Sequence, residues 1–192
     1  MKENGFDNEV AFWHYVYQGL SDKDRNSLHF IYDKFDSIGK KNNLNQAEFA
    51  NMVVSCVQDI PYILVANLDC DKYKMANPAD VEIINRTGCF GPVKFGVQSP
   101  NEFMYTLKGD CDTRTLFCYT VLSHFDYDVA ILSSNEYRHS ILGVNVPVSG
   151  TYKNYDNKRY YLWETTAEGC ALGFLAPDFS NLNNWDFNIL SK

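Results

Sequence analysis

The sequence predicts an α+β fold in which helices come first, a buried helix follows near the middle, and an antiparallel sheet comes last. Apolar residues recur at three- and four-residue steps before residue 60 and again over 110–123. Short runs rich in β-branched and aromatic residues, separated by turn residues, begin at 129. A length of 192 residues with 45% hydrophobic residues is enough for one core, so we expect a single domain, 1–192.

The N-terminal part, residues 1–60, is predicted to be helical. Apolar residues at helical spacing predict one helix over 22–38. A second helix is predicted to begin after Asn45, because Asn is a favoured N-cap and Glu48 occupies the capping-box position. Pro61 is expected to end this helix, since proline lacks an amide hydrogen and disfavours helical geometry in the residue before it.

The remaining elements follow from changes in pattern. Residues 62–65 predict a short strand, and 67–109 carry Asn, Asp, Gly and Pro too frequently for regular structure. Long loops of this kind often form binding surfaces or lids, so we expect substrate contacts there. A largely buried helix is predicted from Asp110 through about Ser123. Three strands are then predicted at 129–132, 140–148 and 160–163, with 154–157 as turn residues.

Charge and hydropathy argue against nucleic-acid binding and against a membrane-spanning segment. With 17 basic and 24 acidic residues the formal net charge is −7, and no localised basic patch is present, which excludes nucleic-acid binding. No run of 18 apolar residues occurs, so no membrane-spanning segment is expected. Localisation stays open: an extracytoplasmic location fits if the chain is a domain of a longer exported protein. The sequence does not indicate an oligomeric state.

The six cysteines do not predict a metal site, because they lack a CxxC pair and any Cys/His spacing typical of zinc. Mostly free, buried thiols are the favoured interpretation, although Cys70 and Cys89 could form a disulfide. Residues 37–48 resemble a calcium loop only in part, and Lys41 places a positive charge where an oxygen ligand is needed. We expect neither a metal nor a cofactor.

Cys111 is the candidate nucleophile. It lies in the first turn of the predicted buried helix, where unpaired amide groups give the equivalent of roughly +0.5 charge. Such a position favours thiolate over thiol, and only the thiolate is a strong nucleophile. The alternative is that Cys111 is simply one more small buried residue.

His139 and Glu164 are the candidate partners of that thiol. His139 begins a predicted strand and is the only histidine on the strands expected to pack across the Cys111 helix. Glu164 ends an aromatic strand, where burial of its charge requires a partner such as an imidazole N–H. Accepting that bond would fix the tautomer of the ring and stabilise an imidazolium. A structural histidine and a solvated glutamate are the simpler alternatives.

Three segments together, spanning roughly 98–178, resemble the core of transglutaminase-like cysteine proteases and hydrolases. In chain order they are GDCDTRTLFCYTVLSHFDYDVAIL, RHSILGVNV and YYLWETTAEG. The resemblance implies a papain/transglutaminase-like core, in which a central helix carrying the nucleophile packs on an antiparallel sheet. It also implies a catalytic triad of Cys111, His139 and Glu164. The acidic member in the family is commonly Asp, so a Glu must reach one methylene further.

The resemblance implies cysteine-dependent acyl transfer through a thioester on a protein or peptide substrate. Hydrolysis of a peptide or isopeptide bond is the first expectation, and amine cross-linking by a protein-glutamine γ-glutamyltransferase is the alternative. A non-catalytic binding module on the same scaffold is a third possibility. The backbone N–H of Cys111 is expected to bind the oxyanion, with Gln58 as the second donor. The ordinary explanation of Gln58 is an exposed side chain at a helix end.

Overall fold

The structure, a computed structural model, describes residue 6 and residues 8–192. This part of the chain combines helices with two sheets, one of five strands and one of two. The helices are α1 (Glu9–Asp24), α2 (His29–Asn42), α3 (Gln46–Gln58), α4 (Cys70–Ala76), α5 (Val81–Thr87), α6 (Pro100–Thr106) and α7 (Cys111–His124). The strands are β1 (Leu64–Val65), β2 (Cys89–Phe90), β3 (Val129–Ser134), β4 (His139–Val144), β5 (Tyr152–Tyr155), β6 (Lys158–Trp163) and β7 (Asp186–Leu190).

The helical character of the N-terminal part is confirmed where it is described, but the predicted boundary of its first helix is wrong. The helix predicted over 22–38 is two helices, because α1 continues to Asp24 and α2 begins at His29. The polar residues near 21–24 end a helix rather than start one. The prediction for α3 is confirmed: Asn45 and Glu48 form the expected reciprocal capping box. The helix ends at Gln58, three positions before Pro61.

The stretch 67–109 is more ordered than predicted. It contains the helices α4, α5 and α6, each of seven residues, and β2 pairs in parallel with β1. Two turns of helix are too short to display a clear apolar period, which is why the pattern failed there. A disulfide joins Cys70 to Cys89, so the possible bridge is confirmed.

Helix α7 forms the centre of the fold, as predicted. Asp110 is its N-cap, and its side chain accepts the N–H of Thr113 at 3.2 Å. All residues over 113–122 are buried. The helix is covered by α3 and α6 and by strands β3 and β4. A helix buried on every side cannot show an apolar stripe, and α7 is accordingly not strongly amphipathic.

The five-stranded sheet is antiparallel throughout, with strand order β5-β6-β4-β3-β7. One face packs against the helices, and the other is covered by residues around Leu175 and Trp185. The three predicted strands correspond to β3, β4 and β6, although β4 ends at Val144 and not at 148. Strands β5 and β7 were not predicted. Residues Asn154 and Tyr155 belong to β5, and the turn itself consists of Asp156 and Asn157 in left-handed conformations.

The strand register brings the candidate residues to one end of this sheet. Leu142 of β4 pairs with Trp163 of β6 in antiparallel orientation. The start of β4 and the residue after β6 therefore lie at the same end, next to the N-terminus of α7. No helix in the described residues is both long and apolar enough to span a bilayer.

Candidate active site

His139 and Glu164 form the closest contact among the candidate residues. His139 Nε2 lies 2.7 Å from Glu164 Oε2, and both side chains are mostly buried. The other carboxylate oxygen of Glu164 accepts the backbone N–H of Thr166 at 2.8 Å and its hydroxyl at 2.6 Å. The His139 ring stacks on Phe179, with centroids 5.3 Å apart. Glu164 and the ring are therefore held from several sides.

The hydrogen bonds of Glu164 determine the tautomer of His139. Burial raises the pKa of Glu164, but the hydrogen bonds and charge of His139 and the donors of Thr166 outweigh it and hold the pKa below its ordinary value. Glu164 is then ionised at neutral pH and can only accept, so Nε2 of His139 carries the hydrogen. Nδ1 of the neutral ring is left as the basic nitrogen.

Cys111 and His139 line one cavity of about 710 Å³. Helix α7 places Cys111 at its first position, and β4 places His139 at its first position. No direct hydrogen bond joins Cys111 Sγ to the ring among the described residues. The backbone N–H of Ser140, the next residue of β4, lies close enough to the sulfur to favour its thiolate. The two residues line the same cavity, and proton transfer between them requires the ring and the sulfur to come within hydrogen-bond reach.

The acidity of Cys111 is opposite to the sequence-based expectation. Burial raises the pKa of this thiol well above its ordinary value, and the carboxylates of Asp112 and Asp110 raise it further. The residue is only 7% exposed, so desolvation of a thiolate outweighs the favourable helix terminus. Cys111 therefore rests as the neutral thiol.

The N-terminus of α7 offers hydrogen-bond donors beside the sulfur. The carboxylate and carbonyl of Asp110 accept the N–H groups of Thr113 and Arg114, respectively. The N–H groups of Cys111 and Asp112 precede the first intrahelical bond and have no partner among the described backbone contacts. These two groups are available to an anion that forms next to Cys111.

Gln58 does not supply such a donor in this structure, contrary to expectation. Its side-chain Nε2 donates to the carbonyl oxygens of Glu164 at 2.7 Å and Cys170 at 2.9 Å. Both amide hydrogens are thus used, and Gln58 is buried rather than exposed at the helix end. The side chain instead joins the end of α3 to the segment that carries Glu164.

Helix α1 contributes residues that the sequence analysis did not identify. The hydroxyl of Tyr17, which is fully buried, donates to Asp112 Oδ1 at 2.5 Å, and the hydroxyl of Ser140 donates to the same oxygen. Trp13 stacks on Tyr17 and also lines the cavity. Tyr17 and Asp112 are 95 positions apart, and neither residue stands in a pattern that marks a site, so no sequence signal could have identified this contact.

Residues of the 67–109 stretch, where substrate contacts were expected, also line the cavity. Arg138, immediately before His139, has a left-handed backbone with φ of 49°. Its guanidinium makes two contacts of 2.7 Å with Asp80, which also accepts the hydroxyl of Tyr73 at 3.0 Å. Arg138 thereby ties the start of β4 to the segment closed by the Cys70–Cys89 disulfide.

Comparisons with known proteins do not identify a relative. No protein-family model, curated protein or solved structure matches the chain. Among the described residues, no group of three His, Cys, Asp or Glu side chains is arranged to hold a metal ion. The chemistry of the site is therefore argued from its own residues.

Proposed function

We propose that this protein is a cysteine-dependent acyl-transfer enzyme with a transglutaminase-like core, and that it hydrolyses a peptide or isopeptide bond through a thioester. The observation that carries the proposal is the His139–Glu164 hydrogen bond of 2.7 Å at the edge of a cavity that Cys111 also lines. The proposal is supported by the position of Cys111 at the start of α7, of His139 at the start of β4 and of Glu164 just after β6. In the proposal Cys111 is the nucleophile, His139 is the base and Glu164 is the acid that orients the ring.

The proposed reaction begins from the neutral thiol. Nδ1 of His139 takes the proton of Cys111 as the sulfur attacks the carbonyl carbon, and the backbone N–H groups of Cys111 and Asp112 bind the resulting oxyanion. Collapse of this intermediate breaks the C–N bond, and His139 gives its proton to the leaving amine. Water then attacks the thioester with His139 as base, which releases the acid and restores the thiol. Glu164 stabilises the imidazolium in both steps.

Transglutamination is the related alternative. A lysine amine, instead of water, would resolve the same thioester, and the outcome depends on whether water is excluded from the acyl-enzyme. A fluorescent primary amine offered together with a glutamine-bearing protein separates the two. Fluorescence in the protein band indicates a transferase, whereas a released acid or a new N-terminus indicates a hydrolase.

A non-catalytic binding module on the same scaffold is favoured by two observations. The pKa of Cys111 is raised, and no direct hydrogen bond joins its sulfur to His139. Two variants, Cys111→Ala and His139→Ala, decide between an enzyme and a binding module. Cys56→Ala is the control, because Cys56 is an exposed thiol on α3. An enzyme loses turnover of a peptide library in the first two variants and keeps it in the control. A binding module retains peptide affinity in all three and cleaves nothing.

A further inference from the structure

One face of α1 forms a row of side chains along the cavity. Glu9, Trp13 and Tyr17 are spaced four residues apart, so they lie one above the other on the same helix face, and all three line the cavity. The Tyr17 end of the row reaches the nucleophile, because its hydroxyl donates to Asp112 next to Cys111. The Glu9 end is fixed by Asn135, whose Nδ2 donates to Glu9 Oε2 at 2.9 Å.

The cavity carries excess negative charge at both ends of this row. Among its described lining residues, the basic side chains are Arg138 and His139. Each already contacts an acid: Arg138 pairs with Asp80, and His139 contacts Glu164. Glu9 accepts only a neutral amide donor, and its carboxylate has no basic partner in the described residues. A cleft with unneutralised carboxylates concentrates field lines and attracts cations.

The spacing of the row gives an approximate length for the ligand. A helix rises 1.5 Å per residue, so Glu9 lies about 12 Å along the axis from Tyr17. An extended peptide rises about 3.3 Å per residue, and about 12 Å therefore corresponds to three or four residues. Trp13 lies between the two ends and presents an aromatic surface over which a cationic side chain can lie.

We propose that Glu9 is a specificity-determining residue that binds a Lys or Arg side chain of a peptide substrate, three or four residues from the amide at Cys111. This inference rests on the proposed function, because that function places the reacting amide at Cys111. Glu9 is far from the reacting atoms and takes no part in proton transfer. Its removal should weaken the binding of peptides that carry Lys or Arg at that position.

The test measures peptide binding separately from cleavage. Fluorescently labelled, otherwise neutral heptapeptides with one Lys at each position in turn are titrated against the Cys111→Ala chain by anisotropy at low salt. We expect Lys peptides to bind roughly 5- to 10-fold more tightly than their norleucine counterparts at one or two positions, with the preference reduced in 0.5 M salt. Adding Glu9→Gln should remove the preference, and Glu9→Lys should transfer it to peptides with Glu at that position.

Asp33→Asn is the matched control, because it removes the same charge from an exposed position on α2 outside the cavity. It should leave the Lys preference unchanged. The proposal is overturned if no peptide binds, if Lys and norleucine peptides bind equally, or if Glu9→Gln keeps the preference. Cleavage of the same peptides by the chain with Cys111 intact then tests the proposed function on its own. Binding with a Glu9-dependent preference but without cleavage contradicts only the enzymatic proposal.

Discussion

The buried carboxylates of Glu164 and Asp110, near the N-terminus of α7, have pKa values shifted in opposite directions. Each carboxylate oxygen of Glu164 accepts a hydrogen bond, which stabilises the ionised form. Its pKa is therefore lowered in spite of burial. Burial and the charge of Asp112 raise the pKa of Asp110 to about 7, although the carboxylate accepts hydrogen bonds from Thr113 and from the backbone N–H of Val65. Glu164, which contacts the imidazole, is therefore ionised at neutral pH, whereas Asp110, the N-cap of α7, is partly protonated.

Glu164→Gln should disable the proposed base without unfolding the chain. An uncharged amide can still accept from His139 but stabilises an imidazolium poorly, so we expect kcat/KM for peptide cleavage to fall by roughly 10²- to 10⁴-fold. Exposed Glu168, four residues later, provides the control substitution Glu168→Gln, which should have no such effect. Equal activity in the two variants contradicts the role given to Glu164.

Asp110→Asn should change how stability depends on pH. The folded pKa of Asp110 is raised from 3.8 to about 7, so the folded state binds more protons than the unfolded state between these values. Its contribution to the free energy of unfolding is complete below about 3.8 and is lost as pH rises through about 7. Urea titrations from pH 4 to 8 should show that wild type loses stability relative to Asp110→Asn over this range. A constant difference between the two proteins is the contrary result.

The sequence indicated those site residues that stand at recognisable positions. Cys111 follows a capping Asp at a helix start, and His139 and Glu164 stand at strand ends, so each had a local signal. The raised pKa of Cys111 had none, because it depends on the depth of burial and on the rotamers of Asp110 and Asp112. Gln58 was misassigned for a related reason: its two carbonyl acceptors come from a segment more than 100 positions away.

Helices α3 and α7 are joined by a buried arginine. Arg114 is fully buried and donates to the carbonyl oxygens of Gly109 at 2.8 Å, Val57 at 3.0 Å and Ile60 at 2.6 Å. Val57 lies in the last turn of α3, and Ile60 follows the C-cap residue Asp59, so two of these carbonyls are at the C-terminal end of that helix. One planar guanidinium thus satisfies the end of one helix and fixes the first turn of another, next to Cys111.

Arg114→Lys should therefore destabilise the fold although it keeps the charge. A lysine cannot reach three divergent carbonyls with a fixed fork of donors, and buried acceptors left without partners are costly, so we expect a loss of ~2–4 kcal/mol in the free energy of unfolding. Exposed Arg159 on β6 allows the matched change Arg159→Lys, which should be close to neutral in denaturant titrations. Equal unfolding midpoints for the two variants contradict this assignment.

Elements with a strong local signal were predictable, and the others depend on contacts distant in sequence. The capping box of α3 and the apolar runs of β3, β4 and β6 are visible in the chain itself. Strand β7 was not predicted, because its five residues carry no clear strand pattern and form a strand by pairing with β3. Helix α1 lies in the part predicted to be helical, but its bounds were not predicted, because Trp13 and Tyr17 face a cavity and a buried network and its apolar face is poorly marked.

The described residues form three apolar clusters, of which the one that includes Leu64, a residue of the cavity lining, is the smallest. Leu64, Ala66 and Ile84 form its buried part, with a few half-buried neighbours. So small a cluster contributes little hydrophobic stabilisation. The Cys70–Cys89 disulfide closes the segment that packs on it and lowers the entropy of the unfolded chain.

Replacing both Cys70 and Cys89 with Ser should lower the free energy of unfolding by about 3 kcal/mol, as expected for a loop of this length. The Asp80–Arg138 contact should loosen as well, since Asp80 lies inside the closed loop. Thermal unfolding of the double variant, compared with the oxidised and reduced wild type, measures the effect. Reduced wild type and double variant should unfold at a similar temperature, below that of the oxidised protein. An unchanged midpoint contradicts a stabilising role for the bridge.

Intact-protein mass spectrometry of the acid-quenched reaction with a peptide p-nitrophenyl ester tests the central claim most directly. We predict that the chain gains the mass of one acyl group, that peptide mapping places it on Cys111, and that His139→Ala forms it far more slowly. Absence of the adduct, its attachment to Cys56, Cys118 or Cys170, or an equal rate of formation in His139→Ala would contradict the proposed thiol chemistry.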